Sequence, residues 1–256
     1  PNGELQWFPQ NDWEAEFIIA AKIGLENIEL IAERNFNDQN PIWSESGVSR
    51  LLELSQKNVV NINTLCNDYI VDHSLIESPK VLEQNLDLIK RGMKLKCNKY
   101  VLPFFENSEI NMINYKGYID LIRIIARACE KAGMVLCLET ILNGDELITL
   151  LDELNHNNIK VVFDTGNRIA FGHNLFDDII RLGDRIEHVH LKDKCSNNEN
   201  VLLGTGLVNF SSVFEALKAN NYLGSYTFET YRGKNPVNTA IYNMTFAKFF
   251  YLESFS

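Results

Sequence analysis

The chain has 256 residues, 45% of them hydrophobic, and carries a formal net charge of −10 at pH 7. This apolar content predicts a folded protein with a substantial core and excludes a disordered chain. The acidic balance argues against nucleic acid as a partner, because phosphate backbones are bound by basic surfaces. No apolar run approaches the roughly 20 residues that a membrane-spanning helix needs, so we expect no membrane partner.

Helical and extended patterns alternate along the whole chain. The first helix is predicted at residues 14–23 and the first clear strand at residues 25–31. Further strands are predicted at residues 59–65, 99–105, 134–139, 160–164, 185–192 and 225–230. Helices are predicted between them at residues 48–57, 81–92, 114–133, 145–157, 175–183 and 210–222, and the tail from Pro236 is apolar enough for a packed helix. This repeat predicts an α/β protein with a parallel sheet, and because no break in composition marks a boundary we expect one domain over residues 1–256.

The cysteines predict a reducing environment. None of the five belongs to a CxxC pair, and Cys129 and Cys137 fall in a predicted helix and a predicted buried strand. Reduced thiols are ordinary at such positions. The opening residues, PNGELQWFPQND, are polar and unlike a signal peptide. We therefore expect a cytoplasmic protein.

Four of the predicted strands carry, at or near their carboxyl end, a residue that can bind a metal ion. They are Glu139 after MVLCL, Asp164 after KVVF, His190 in IEHVHLKD and Glu229 in YTFET. Parallel strands buried on both faces are continuously apolar, and the run Val161, Val162 and Phe163 has this character. In an open sheet four neighbouring strand ends would spread over roughly 15 Å, at about 4.8 Å per strand, so their convergence requires a closed sheet.

The pattern therefore predicts a (β/α)8 TIM barrel with its site at the carboxyl ends of the strands. No GxGxxG or P-loop follows the first strand, which weakens the alternative of an open nucleotide-binding sheet. Seven strands are clear rather than eight. We expect the first barrel strand to be either irregular within the opening residues or missing from this chain.

The four strand-end residues predict one divalent metal ion. Three carboxylates held together without a cation repel one another and raise each other's pKa. Three oxygen ligands and one nitrogen ligand suit Mn²⁺, Mg²⁺ or Co²⁺ better than a structural zinc site, although Zn²⁺ can still bind such a set.

The motifs CLET, FDTGN, HVHLKD and FET, in this order, resemble the xylose isomerase-like TIM barrel superfamily, in its sugar phosphate isomerase/epimerase branch. The resemblance covers nearly the whole chain. It implies that Glu139, Asp164, His190 and Glu229 hold one metal ion, and that the two glutamates also act as the catalytic acid/base pair. Many relatives have histidine at the position of Asn167, and an amide can hydrogen-bond a sugar hydroxyl but transfers protons poorly. Relatives that cut abasic DNA use more histidines than the five present here.

Five further residues are candidates for binding substrate: Asn167, His188, Lys192, Arg232 and Glu29. All but Asn167 have an alternative reading. Lys192 and Arg232 could equally be solvated loop residues, and His188 points the same way as His190 from its strand but could fill a barrel layer. Glu29 could bind a sugar hydroxyl or pair with a lysine.

The predicted function is a metal-dependent isomerase or epimerase of a sugar or sugar phosphate, with glutamate-mediated proton transfer through an enediolate. Two alternatives stay open. One is a dehydratase of a keto-polyol, similar to inosose dehydratase, and the other is a non-catalytic sugar-binding barrel. The apolar segment AIYNMTFAKFFYLESF (residues 240–255) also predicts that part of the outer surface packs on a second copy in a homodimer.

Overall fold

Seven parallel strands alternate with helices in the computed structural model, which describes residues 8–255. The strands of the large sheet are β1 (Asn27–Ala32), β2 (Asn61–Asn67), β3 (Lys99–Phe104), β4 (Val135–Thr140), β5 (Ile159–Asp164), β6 (Ile186–Leu191) and β9 (Ser225–Phe228), and they lie in this order. Two short strands, β7 (Asp193–Lys194) and β8 (Asn200–Val201), form an antiparallel hairpin between β6 and β9.

The α-helices are α1 (Trp13–Ile23), α2 (Glu45–Asn58), α3 (Tyr69–Asp72), α4 (Pro79–Leu95), α5 (Ile119–Lys131), α6 (Gly144–Leu154), α7 (Thr165–Ala170), α8 (Leu175–Leu182), α9 (Phe210–Ala219) and α10 (Pro236–Phe255). Single 3-10 turns occupy Pro41–Trp43, Glu106–Ser108, Tyr115–Gly117 and Gly183–Arg185. No helix among residues 8–255 combines the length and the apolar character that crossing a membrane would require.

The described residues group into two units: a first unit of residues 8–140 and 151–160, and a second unit of residues 141–150 and 161–255. The single domain over residues 1–256 stays a prediction. An irregular first strand was expected within the opening residues, of which residues 1–7 lie outside the described part of the chain. From Phe8 to Trp13 the described backbone forms a turn that leads into α1.

In the first unit, β1 to β4 pair in parallel, and β3 and β4 are in register from Lys99 opposite Val135 to Phe104 opposite Thr140. β5 begins beside β4, because the backbone N–H of Leu136 donates to the carbonyl of Asn158 at 3.0 Å. The helices of this unit turn apolar stripes inward. In α5 the residues Ile122, Ile125, Ala126 and Cys129, spaced three or four apart, are all buried.

In the second unit, the end of β5 pairs with β6 and β6 pairs with β9. Asp164 lies opposite His190 in this register. The backbone N–H of Glu229, just beyond β9, donates to the carbonyl of Leu191 at 3.2 Å and extends the ladder by one residue. Three strand ends of one sheet therefore bring their terminal side chains to the same edge.

Aromatic rings hold α10 to the second unit. The ring of Phe246 lies 5.2 Å from that of Phe210, and the ring of Phe250 lies 6.3 Å from that of Phe214 on α9. Other apolar side chains of α10, among them Phe249 and Leu252, are exposed. The expected homodimer face on this helix stays a prediction.

Candidate metal centre and active site

Asp164 is both the last residue of β5 and the N-cap of α7. One carboxylate oxygen, Oδ1, accepts a hydrogen bond from the backbone N–H of Asn167 at 2.6 Å. This bond satisfies one of the N–H groups that open the helix. It also fixes the rotamer, so that the second oxygen, Oδ2, remains directed at the neighbouring strand end. The residue is 2% exposed.

His190 and Glu229 occupy the next two strand ends. His190 Nδ1 lies 3.0 Å from Glu229 Oε2 and 3.9 Å from Asp164 Oδ2. His190 is almost fully buried, and the side chain of Glu229 is 11% exposed. One imidazole nitrogen thus faces two carboxylates that come from different strands.

Lys192, two residues beyond His190, brings a positive charge to the same place. Its Nζ lies 2.5 Å from Glu229 Oε1 and 3.0 Å from Asp164 Oδ2. The side chain is 3% exposed, so this ion pair is shielded from water. Because charges at this separation interact far more strongly away from water, Lys192 is the charge that most favours the ionised forms of both carboxylates.

The two carboxylates respond differently to this environment. Burial raises the pKa of Asp164, although Lys192 opposes the rise. Burial also acts to raise the pKa of Glu229, but the charge of Lys192 and the hydrogen bond from His190 outweigh it and lower that pKa to about 2. Glu229 is therefore ionised at neutral pH.

The residues of this edge fit a divalent metal ion. Asp164, His190 and Glu229 each offer a ligand atom, and these atoms lie within 4.8 Å of one another. Two carboxylate oxygens and one imidazole nitrogen suit a hard or borderline divalent cation. The second unit thus contains a buried cluster of carboxylates and a histidine that could hold a metal ion. The sequence predicted a metal-binding cluster at these strand ends.

The first unit contains the other two predicted glutamates. Glu139 is the fifth residue of β4 and is buried, and Glu29 lies in β1 and is half-buried. Both come from strands whose carboxyl ends form one edge of a parallel sheet. Their assignments, Glu139 as ligand and catalytic acid/base and Glu29 as a substrate contact, stay predictions.

The other predicted substrate contacts lie close to the cluster or just after its strands. His188 Nδ1 is 2.8 Å from the Ser225 hydroxyl, and its ring lies edge-on to His190 at 5.1 Å. Asn167 Oδ1 accepts a hydrogen bond from Lys192 Nζ at 3.3 Å. Arg232 is half-buried in the loop after β9. Their roles toward a substrate stay predictions.

Two residues next to Asp164 that the sequence did not single out hold Lys192 in place. Thr165 Oγ1 donates to the Lys192 carbonyl at 2.6 Å and lies 3.0 Å from the Lys192 N–H. Gly166 leaves room for the lysine stem, because a Cβ at this position would lie 2.5 Å from Lys192 Cγ. The available signal was the pair Thr-Gly directly after a strand-end acid, which indicates a close approach of another segment.

The model of the family described as xylose isomerase-like TIM barrel matches residues 17–248, and the chain belongs to this family. The predicted fold class is thereby confirmed. Over 246 residues the chain is 23% identical to D-psicose 3-epimerase of Ruminiclostridium cellulolyticum, covering 87% of this chain and 80% of that protein. It is 30% identical to inosose dehydratase of Clostridium botulinum over 125 residues, which cover 41% of each chain. Two other curated epimerases match over less than two thirds of their own length.

The solved structures agree on the fold. The chain is similar to the crystal structure of D-psicose 3-epimerase with D-tagatose from Clostridium cellulolyticum H10, with a TM-score of 0.78. The likeness covers 94% of both chains at 18% sequence identity. At this identity the comparison shows the barrel fold alone.

Proposed function

We propose that this protein is a metal-dependent isomerase or epimerase of a small keto-sugar or its phosphate. One observation carries the proposal: Asp164, His190 and Glu229 meet in a buried cluster at the carboxyl ends of three parallel strands. In TIM barrels this edge is where catalytic residues lie. Membership of the family, together with relatives that are sugar 3-epimerases, supports the reaction class.

We assign Asp164, His190, Glu229 and Glu139 as the residues that would hold one Mn²⁺, Mg²⁺ or Co²⁺ ion, with Zn²⁺ as the poorer fit. Glu139 joins the set because it is buried near the carboxyl end of β4, the same kind of strand-end position that the other three residues hold. A divalent ion supplies positive charge that polarises a substrate carbonyl and acidifies the neighbouring C–H bond.

Glu229 is the base in this proposal. It is ionised at neutral pH, because Lys192 and His190 lower its pKa, so it can accept a proton. The ring of His190, 3.0 Å away, orients the carboxylate.

Glu139 is the proton donor that completes the reaction: it carries a proton at the start and gives it to the carbon, so that Glu229 ends protonated and Glu139 ends ionised. Two acid/base groups on opposite sides of a planar enediolate allow a proton to leave from one face and return to the other, which inverts the carbon. Return of the proton to the neighbouring carbon would give isomerisation. The substrate contacts proposed here are Asn167, His188, Lys192, Arg232 and Glu29.

The test is Glu229→Gln and, separately, Glu139→Gln, assayed with D-psicose, D-tagatose, D-fructose and L-ribulose in the presence of Mn²⁺. Each variant should lose on the order of 10²- to 10⁴-fold in kcat, because each removes one proton-transfer group, while circular dichroism stays unchanged. Asp177→Asn, which changes an exposed carboxylate of α8, is the matched control and should keep full activity. Wild-type rates in either glutamine variant would refute the assignment.

Elimination of water is the second candidate, favoured by the match to inosose dehydratase. Both reactions begin with proton abstraction next to a carbonyl, so the same base serves either. Mass spectrometry in deuterated water separates them. Deuterium uptake into a product of otherwise unchanged mass indicates isomerisation or epimerisation, and loss of one water molecule indicates the dehydratase.

A further inference from the structure

We propose that Lys192 is a built-in counter-cation that competes with the metal ion for the carboxylates of Asp164 and Glu229 and thereby weakens metal binding. This inference rests on the proposed metal centre. Lys192 Nζ lies within 3.0 Å of one oxygen from each acid, and Asp164 Oδ2 and Glu229 are the same groups that face His190 Nδ1. A divalent ion that uses these oxygens must displace the ammonium group or share them with it.

The lysine is held in place along its whole length. Its backbone is fixed on both sides of the residue by the Thr165 hydroxyl, which contacts the Lys192 N–H and carbonyl. Its stem passes over the first turn of α7, where the Cγ, Cβ and Cδ atoms would lie 2.5 to 2.9 Å from a Cβ at Gly166. The Asn167 side-chain oxygen then accepts a hydrogen bond from its Nζ at 3.3 Å. A solvated loop lysine has no such set of contacts.

Two opposing electrostatic effects follow. Buried carboxylates that lack a counter-charge are strongly unfavourable, so Lys192 stabilises the protein when no ion is bound. A positive charge held beside the ligands repels an arriving divalent cation, so the same lysine lowers the affinity for that cation. The lysine therefore raises the stability of the metal-free protein and lowers its affinity for the metal ion.

Lys192→Met keeps the length and apolar character of the stem and removes the charge. We expect this variant to bind Mn²⁺ about tenfold more tightly or better in calorimetric titration of the metal-free protein. Its melting temperature without metal should fall, and saturating Mn²⁺ should raise that temperature by more than it does in the wild type, as linkage requires.

Gly166→Ala tests the same claim while the charge is retained. The added methyl group displaces the lysine stem from α7, so Mn²⁺ affinity should rise and the metal-free stability should fall, both by less than in Lys192→Met. Lys218→Met is the control for loss of a positive charge, because Lys218 is exposed in the last turn of α9. It should leave Mn²⁺ affinity unchanged within about twofold.

The outcomes separate this inference from the function on which it rests. A wild-type protein that binds no divalent ion in the titration refutes the metal centre, and the competition with it. If the wild type binds Mn²⁺ but Lys192→Met and Gly166→Ala bind it equally tightly or more weakly, the proposed role of Lys192 is refuted. The proposed metal centre is then unaffected. If Lys192→Met does not fold, Lys192→Gln and Gly166→Ala decide by the same criteria.

Discussion

Asp193 should be a principal determinant of the structure between β6 and β9, and Asp193→Asn tests this. The residue is completely buried at the start of β7. Its Oδ1 accepts hydrogen bonds from the backbone N–H groups of Lys194 and Val208 at 2.9 and 3.0 Å. Its Oδ2 accepts from Gly204 and Gly206 at 2.9 and 2.8 Å. One carboxylate thus gathers both ends of the segment 194–208.

The magnitude follows from the number of bonds lost. The asparagine side chain has one carbonyl oxygen, which can accept two of the four hydrogen bonds. Its NH₂ group would face the other two backbone N–H groups, and because all of these groups are donors no hydrogen bond can form. A hydrogen bond to a charged group contributes roughly 1.5–3 kcal/mol, and a buried donor left unpaired adds a further penalty. We expect a loss of about 4 kcal/mol in the free energy of unfolding, a large part of the 5–15 kcal/mol typical of folded proteins.

Urea unfolding followed by circular dichroism measures the loss, and limited trypsin digestion locates it. In the variant the bond after Lys194 should be cut early, because β7 and its partner β8 no longer hold that residue. Glu215→Gln, which alters an exposed acid of α9, is the control for loss of a surface carboxylate and should change stability by less than 0.5 kcal/mol, as is usual for surface substitutions. A loss below about 1 kcal/mol in Asp193→Asn, with trypsin resistance retained, would show that the carboxylate does not organise the segment.

Two ion pairs give further predictions. Arg34→Met should raise the pKa of Asp72 toward its ordinary value of 3.8, because the Arg34 hydrogen bond holds it below that value; an unshifted NMR titration would contradict this. A carboxyl group whose pKa is lowered by folding stabilises the protein fully above its unfolded pKa, and this contribution is lost as the pH falls through its folded pKa. The wild type should therefore be more stable than the variant by its full margin above about pH 4, and the margin should shrink as the pH falls further. It should be less than about 1 kcal/mol, because the pair is part-exposed. Arg168→Met should cost roughly 3–5 kcal/mol in urea unfolding, since it leaves the buried Asp178 carboxylate without its partner at 2.6 Å, and a loss under about 1 kcal/mol would refute this.

The strand ends were predictable from sequence because they depend on a local pattern. A continuous apolar run followed by an acid defines β5 and Asp164, and the alternation in IEHVHL places His188 and His190 on one face of β6. Parallel pairing then brings residues at equivalent strand positions together, and Asp164 is indeed opposite His190. No longer-range information was needed to expect this part of the cluster.

The connections after the strands were less predictable because distant contacts decide them. The segment 165–170 contains glycine and asparagine, which disfavour helix, yet it forms α7. Asp164 caps this helix, and the Arg168 guanidinium stacks on Phe163 at 4.7 Å and pairs with Asp178 on α8. Residues 193–207 likewise include the β7–β8 hairpin, and the backbone N–H groups of Gly204 and Gly206 in this segment donate to the Asp193 carboxylate.

The direction of the Lys192 side chain could not be predicted from the sequence. A lysine two residues after a strand-end histidine can point into water or into the site, and nothing local to HLKD distinguishes the two. The lysine stem can enter the site because Gly166, 26 residues earlier in the chain, lacks a side chain that would block it. A substitution at Gly166 should therefore alter the electrostatics of Asp164 and Glu229 although it changes no charge and no proposed ligand. This dependence of the carboxylates on Gly166 exists only in the folded protein, because it requires the end of β6 to pack beside α7.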